Sequence, residues 1–248
     1  MVHIVGAGSG AADLITLRGA GLLKKADVVI YAGSLINKQL LGMCKSSAAL
    51  YDSAYMTLDE VTDVIARAEA DGLDTVRLHT GDPCLYGAVR EQMDRMDSMG
   101  IAYDICPGVS SFCGAAAALR AEYTLPGVSQ TVIITRAEGR TPVPEKESLS
   151  SLAAHNATMV IFLSASLTEK VQTDLIDGGY SPDTPAAIVY KATHSDERVY
   201  RCRLSDLAET ARKYDITRTA LICVGGFLGS DYELSKLYDK NFETMYRK

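Results

Sequence analysis

The chain has 248 residues, 47% hydrophobic and 23% charged, with a formal net charge of −6. That is ordinary for a globular protein and long enough for one large or two modest domains, each with its own core. The acidic balance, with no basic run or aromatic–basic interleaving, argues against a nucleic-acid partner. No apolar run approaches the eighteen residues of a membrane span, so no membrane partner is expected. The start, Met1-Val2-His3-Ile4-Val5, lacks the basic region and long apolar stretch of a signal peptide, and a cytoplasmic protein is the expectation.

Read in chain order, short β-rich runs alternate with helical patterns. The runs are His3–Val5, Val28–Tyr31, Thr75–Thr80 and Tyr103–Cys106, and the helices lie near Thr16–Lys25, Asn37–Met43, Leu58–Asp71 and Ala88–Met99. Thr57-Leu58-Asp59-Glu60 reads as a capping box opening the third helix. Pro107-Gly108 turns the chain, and Ser110–Leu119, rich in alanine, suits a closely packed helix. After Leu125-Pro126-Gly127 a second series begins, with strands at Thr131–Thr135, Thr158–Leu163, Ala186–Tyr190 and Ala220–Val224. Its helices lie near Glu147–Ala154, Leu167–Asp177 and Leu204–Tyr214. The alternation predicts an α/β fold of two α/β domains, 1–118 and 119–248, with mixed, largely parallel sheets and a ligand cleft between the domains.

Two glycine turns carry the chemistry. Thr80-Gly81-Asp82-Pro83-Cys84-Leu85-Tyr86-Gly87 follows a buried strand, at the end where α/β proteins bind ligands. Pro83 holds its own φ and pushes Asp82 towards an extended conformation, so the carboxylate is presented; its alternative role is to cap its own turn. The other turn, Gly6-Ala7-Gly8-Ser9-Gly10-Ala11, meets the dinucleotide fingerprint. That fingerprint needs an acid at the end of the second strand, and here Asp27 precedes that strand while Asp52 comes too late. A nicotinamide dehydrogenase is therefore disfavoured. The six cysteines, Cys44, Cys84, Cys106, Cys113, Cys202 and Cys223, form no C-x-x-C pair and read as buried, reduced thiols. The four histidines show no metal-ligand spacing, and His79 on a strand reads as structural.

Gly6 through Gly10 with Asp13-Leu14-Ile15-Thr16-Leu17-Arg18-Gly19, then Gly81-Asp82-Pro83 through Gly87, then Pro107-Gly108-Val109-Ser110-Ser111, resemble the tetrapyrrole methylase family. Tyr31-Ala32-Gly33-Ser34-Leu35, Thr124 through Thr131, Gly139 through Glu145 and Ile216 through Ile222 are most similar to its branch acting at C-11 of cobalt-precorrin-4. The resemblance covers almost the whole chain. One departure stands out: Gly8-Ser9-Gly10-Ala11-Ala12 occupies the place of the family's usual Gly-Pro-Gly-Asp-Pro, so both prolines and the acid are missing. A lost proline withdraws about 0.4–1 kcal/mol of unfolded-state restriction where its φ was suited.

The resemblance implies the tetrapyrrole methylase fold, a homodimer, and S-adenosyl-L-methionine as cofactor, leaving as S-adenosyl-L-homocysteine. It implies cofactor contacts at Ser9, Thr80, Gly81, Asp82, Leu85, Ser110, Ser111, Leu163, Ala192 and Thr219, many through backbone atoms. Tyr31, Ser34 and Tyr86 are candidates to line the trough for the tetrapyrrole substrate, and Arg18, Arg90, Arg120 and Arg136 to meet its carboxylates. No catalytic acid or base is assigned, because the acceptor carbon is already nucleophilic and alignment supplies the rate. Any cobalt arrives inside the substrate, so no protein metal ligand is expected. Metal-free precorrin-4, another ring position, and a non-catalytic tetrapyrrole carrier remain as alternatives.

Overall fold

The structure is a computed structural model and describes residues 1–33, 35–239, 242–243 and 245–246. The chain forms two compact units, Met1–Ala115 with Lys191–Glu197, and Ala116–Tyr190 with Arg198–Lys248.

The first unit is built on five parallel strands. In chain order they are β1 (Val2–Gly6), β2 (Val28–Tyr31), β3 (Ala49–Asp52), β4 (Thr75–His79) and β5 (Tyr103–Cys106), and in space they run β3-β2-β4-β1-β5. Strand β4 sits in the middle, and all five of its residues are buried, as a strand covered on both faces requires. Its even residues Val76 and Leu78 join Val5, Val29 and Leu23 in one core. Its odd residues lie on the face where Val2, Ile4, Val28 and Ile30 pack with Val61, Ile65 and Met96 of the covering helices. Those helices are α2 (Leu58–Ala70) and α3 (Arg90–Met99), while α1 (Leu17–Lys25) covers the other face and α4 (Ser111–Leu119) follows β5. The capping box of α2 is formed: Thr57 Oγ1 accepts from the Glu60 amide, and the Glu60 carboxylate accepts from the Thr57 amide at 2.7 Å. At the start of α1, Thr16 Oγ1 accepts from the Gly19 amide.

The second unit has a mixed sheet of β6 (Val132–Arg136), β7 (Thr158–Phe162), β8 (Pro185–Tyr190), β9 (Arg198–Arg203) and β10 (Ala220–Val224), ordered β6-β7-β10-β8-β9. Only β6 and β7 are parallel neighbours; the other three pairings are antiparallel. Met159, Ile161, Ile188 and Ile222 pack on one face with Val171 and Leu175 of α6 (Thr168–Asp177), Leu207 of α7 (Leu207–Lys213) and Leu149 of α5 (Leu149–Ala153).

Several local expectations are corrected. Strands β3 and β9 have no counterpart in the sequence reading. Residues 38–43 form a 3-10 helix, and the stretches 145–147 and 204–206 are 3-10 turns ahead of α5 and α7. Of the six thiols read as buried, only Cys106 and Cys223 are; Cys84 and Cys113 are exposed because they lie on a turn and on the open side of α4.

Candidate functional site

Because β1 lies between β4 and β5 and all three are parallel, the segments leaving their carboxyl ends emerge along one edge of the sheet. These are the segments with glycine turns. The Ala7 amide donates to the His79 carbonyl at 2.7 Å, and Gly8 and Gly81 exchange two backbone hydrogen bonds at 3.0 and 3.3 Å. At the other side, a Cβ on Gly108 would lie 2.1 Å from the Gly81 oxygen and 2.7 Å from Gly6 Cα. Three backbones therefore meet with no room for a side chain at Gly6 or Gly108.

Asp82 fastens this junction. Its Oδ1 accepts from the Cys84 amide at 2.8 Å, and its Oδ2 accepts from the Gly108 amide at 2.8 Å. Partial burial acts to raise the carboxyl pKa, but these hydrogen bonds outweigh it, and the net shift is downward. The carboxylate both caps its own turn and ties it to the segment after β5. Two further polar groups flank the junction, Thr80 two residues before Asp82 and Ser110 two residues after Gly108. Thr80 Oγ1 is buried and has no hydrogen-bond partner in the structure, and Ser110 is buried where α4 begins.

The loop after β1 has neither proline nor acid, and other residues hold it. Thr193 Oγ1 accepts from the Ala11 amide at 3.0 Å and shares a hydrogen bond with Ser9 Oγ at 3.1 Å. Asn37 Nδ2 donates to the Gly10 carbonyl at 3.0 Å. Gly10 has a φ of 155°, and a Cβ there would lie 2.4 Å from the His194 ring and 2.5 Å from the Ala192 oxygen. Thr193 itself has a φ of 65°, and its amide donates to the Glu197 carboxylate at 2.6 Å. The short segment 191–197 is thus internally stitched and presents one hydroxyl to the glycine loop.

Of the expected contact residues, Ser9, Thr80, Gly81, Asp82, Leu85, Ser110, Ser111 and Ala192 all belong to the first unit. The first seven lie on the three converging segments, and buried Ala192 adjoins Gly10. Leu163 and Thr219 belong to the second unit. There, antiparallel β7 and β10 pair Ile161 with Ile222, which brings the end of β7 level with the start of β10. Leu163 (φ 53°) and Thr219 (φ 55°) are both left-handed and both exposed at that edge. Tyr31 ends β2, and Tyr86, at φ 54°, lies in the turn before α3. Ser34 lies outside the described residues.

The four candidate arginines divide. Arg18 and Arg120 are exposed, Arg90 pairs with Asp94 one turn along α3, and Arg136 donates to the Thr141 and Pro142 carbonyls, holding the loop after β6. A fifth arginine, Arg77, is buried on β4 with Gln92 as partner. It escaped the sequence reading because it lies inside an apolar run. Burial and the Arg77 charge push His79 down to about 3, so its ring is neutral. Among the described residues no group of three or more His, Cys, Asp or Glu is arranged to hold a metal ion, and no helix is long and apolar enough to cross a membrane. The topology also weighs against a dinucleotide site, since β4 separates β1 from β2 and removes the second strand's end from the glycine loop.

The model of the Tetrapyrrole (Corrin/Porphyrin) Methylases matches residues 1–208. The chain is 54% identical to a cobalt-precorrin-4 C(11)-methyltransferase of Methanocaldococcus jannaschii over all of its own length and 96% of that protein's. It is 46% identical to a precorrin-4 C(11)-methyltransferase of Mycobacterium tuberculosis, over 93% of this chain and 92% of that one. Among solved structures, a cobalt precorrin-4 methyltransferase, described as a cobalamin biosynthetic enzyme, superposes with a TM-score of 0.90 at 46% identity, covering 92% of this chain and 96% of the other.

Proposed function

The chain belongs to the tetrapyrrole (corrin/porphyrin) methylases, and from that premise we propose that it methylates C-11 of cobalt-precorrin-4, giving cobalt-precorrin-5A, with S-adenosyl-L-methionine as donor. One observation carries the ligand site: the segments after β1, β4 and β5 meet at a side-chain-free junction fastened by Asp82. The cobalt-bearing substrate is favoured over the metal-free one by the higher identity to the relative named for it, 54% against 46%.

The residues present fit such a cofactor. Thr80 Oγ1 is a buried polar atom without a partner, and the absence of side chains at Gly6, Gly81 and Gly108 keeps the junction clear for a ligand's close approach. Ser9, Thr80, Gly81, Asp82, Leu85, Ser110, Ser111 and Ala192, with Leu163 and Thr219, would hold it. When bound, S-adenosyl-L-methionine supplies an electrophilic methyl group on a sulfonium whose departure leaves a neutral thioether. The protein's part is then to orient the acceptor carbon and exclude water, which effective molarity makes worth about 7–11 kcal/mol. No side chain needs to remove a proton in the slow step, and His79 is too buried and too weakly basic to do so. Tyr31 and Tyr86 would line the substrate side. A cytoplasmic homodimer completes the proposal.

The test is incubation of the purified protein and donor with cobalt-loaded or metal-free precorrin-4, read by mass spectrometry. Addition of one methyl group to the cobalt substrate, at higher kcat/KM, is the expected result; preference for the metal-free substrate would reassign the pathway. In calorimetry S-adenosylhomocysteine should bind and NADH should not. A protein that binds the tetrapyrrole but not S-adenosylhomocysteine would be a carrier.

A further inference from the structure

We propose that Arg77 and Gln92 are positioning residues that together hold the turn Tyr86–Ala88 in the shape that presents Tyr86 to the tetrapyrrole, an inference that rests on the methyltransferase reading above.

Arg77 is a costly residue where it stands. It is 7% exposed in the middle strand of a parallel sheet, between Ile4 and Ile30 of the neighbouring strands. None of the ion pairs among the described residues includes it. A well-packed apolar side chain would fill the same volume at lower cost. Burial pulls its pKa down to about 10, so the cation persists at neutral pH.

Its hydrogen bonds show what the charge does. Nη1 donates to the Ile30 carbonyl at 3.2 Å, immediately before Tyr31, and Nε donates to Gln92 Oε1 at 2.9 Å. A guanidinium has donors only, so the Gln92 amide must turn its oxygen inwards and its nitrogen away. That nitrogen donates to the Ala88 carbonyl at 3.0 Å. Gln92 is itself buried, at 6% exposure. The turn it reaches needs holding: Tyr86 and Ala88 have φ of 54° and 48°, left-handed for residues that carry a Cβ. Val89, at the start of α3, supplies no side-chain cap. One buried cation therefore fixes the direction of one amide, and that amide pins a strained turn carrying one trough candidate, while the same cation touches the strand end carrying the other.

The chain of donors suggests the deciding variant. Gln92→Glu keeps an acceptor for Arg77 and adds an ion pair, but a carboxylate cannot donate to the Ala88 carbonyl. We expect the full-length variant to melt no lower than wild type and to bind S-adenosylhomocysteine with unchanged affinity. Amide exchange over residues 85–89 should quicken, and KM for cobalt-precorrin-4 should rise by about tenfold or more with a smaller change in kcat. Arg77→Lys, which keeps the cation and loses the planar fork, should move exchange in the same direction, and it serves if Gln92→Glu fails to fold. Wild-type exchange in both variants overturns the proposal, as does faster exchange with an unaltered KM. If wild type does not methylate cobalt-precorrin-4, the functional reading fails, while the exchange measurement still decides whether Arg77 and Gln92 hold the turn.

Discussion

Two glycine turns stand side by side at one edge of the first sheet, and they are held by opposite means. The turn at Gly81-Asp82-Pro83 supports itself: one carboxylate bonds an amide two residues ahead and another in the neighbouring segment. The turn at Gly8–Ala12 has no acid and no proline, and depends on Asn37 and Thr193, twenty-seven and 182 residues from the atoms they bind. The first conformation is written in its own residues. The second is written elsewhere in the chain, and it is the turn where the sequence departs from its family's usual pattern.

The harshest way to break the comparison removes what the two turns share. Gly108→Ala would set a methyl group 2.1 Å from the Gly81 oxygen and 2.7 Å from Gly6 Cα, both backbone atoms that cannot swing aside. A loss of about 3 kcal/mol or more is expected in urea unfolding, with S-adenosylhomocysteine binding abolished. A loss below about 1 kcal/mol would mean that the junction is looser than its geometry.

Asp82→Ala attacks the self-held turn alone. It strands two amides, and about 2–3 kcal/mol should be lost, together with cofactor affinity. Asp82→Asn, which keeps one acceptor oxygen, should fall between. The pH dependence separates this carboxylate from the adjoining strand. His79 has a folded pKa near 3, below its unfolded value, so the unfolded chain takes up its proton first and stability should decline as pH falls from about 6.5. Asp82 is also shifted downward, so its contribution persists through that window and is lost only in more acidic solution, below about 3.8. Thermal melts of wild type and Asp82→Ala should therefore keep a constant gap between pH 7 and 5; a gap that closes in that range would contradict the assignment.

What could be read from sequence follows the same division. The edge-forming segments, the capping box at Thr57 and the turn cap at Asp82 are local patterns, and β2, β5 and β10 match the expected bounds residue for residue. Strand β3 is four residues with three exposed, and β9 carries Arg198, Arg201 and Arg203 at a sheet edge, so neither has the apolar signature of a buried strand. Arg77 was missed for another reason: Thr75-Val76-Arg77-Leu78-His79 reads as a buried strand, but nothing local shows that its cation is met by Gln92, fifteen residues on. Thr193 was invisible as a partner of Ser9, since only the folded chain brings those residues together.

Thr193→Ala tests the borrowed support. It removes the acceptor for the Ala11 amide and the partner of Ser9, and about 1 kcal/mol of stability should be lost. The larger consequence should fall on S-adenosylhomocysteine affinity, because the loop loses its fixed shape more than its packing. Thr193→Ser, which keeps the hydroxyl, should restore that affinity. Failure of serine to restore it would assign the effect to the lost methyl group and its packing instead.

The smallest effect sharpens the contrast furthest. Ser9 Oγ bonds the Thr193 hydroxyl, whereas Thr193 also holds the Ala11 amide. Ser9→Ala should therefore cost about 0.5 kcal/mol, less than Thr193→Ala. In a double-mutant cycle the two losses should be less than additive, since both variants delete the same hydroxyl pair. Full additivity would mean that the Ser9–Thr193 pair contributes nothing and that the loop is held by the Ala11 amide bond to Thr193 and the Asn37 bond to Gly10. That outcome would leave Thr193 acting on the loop through the Ala11 amide and not through Ser9.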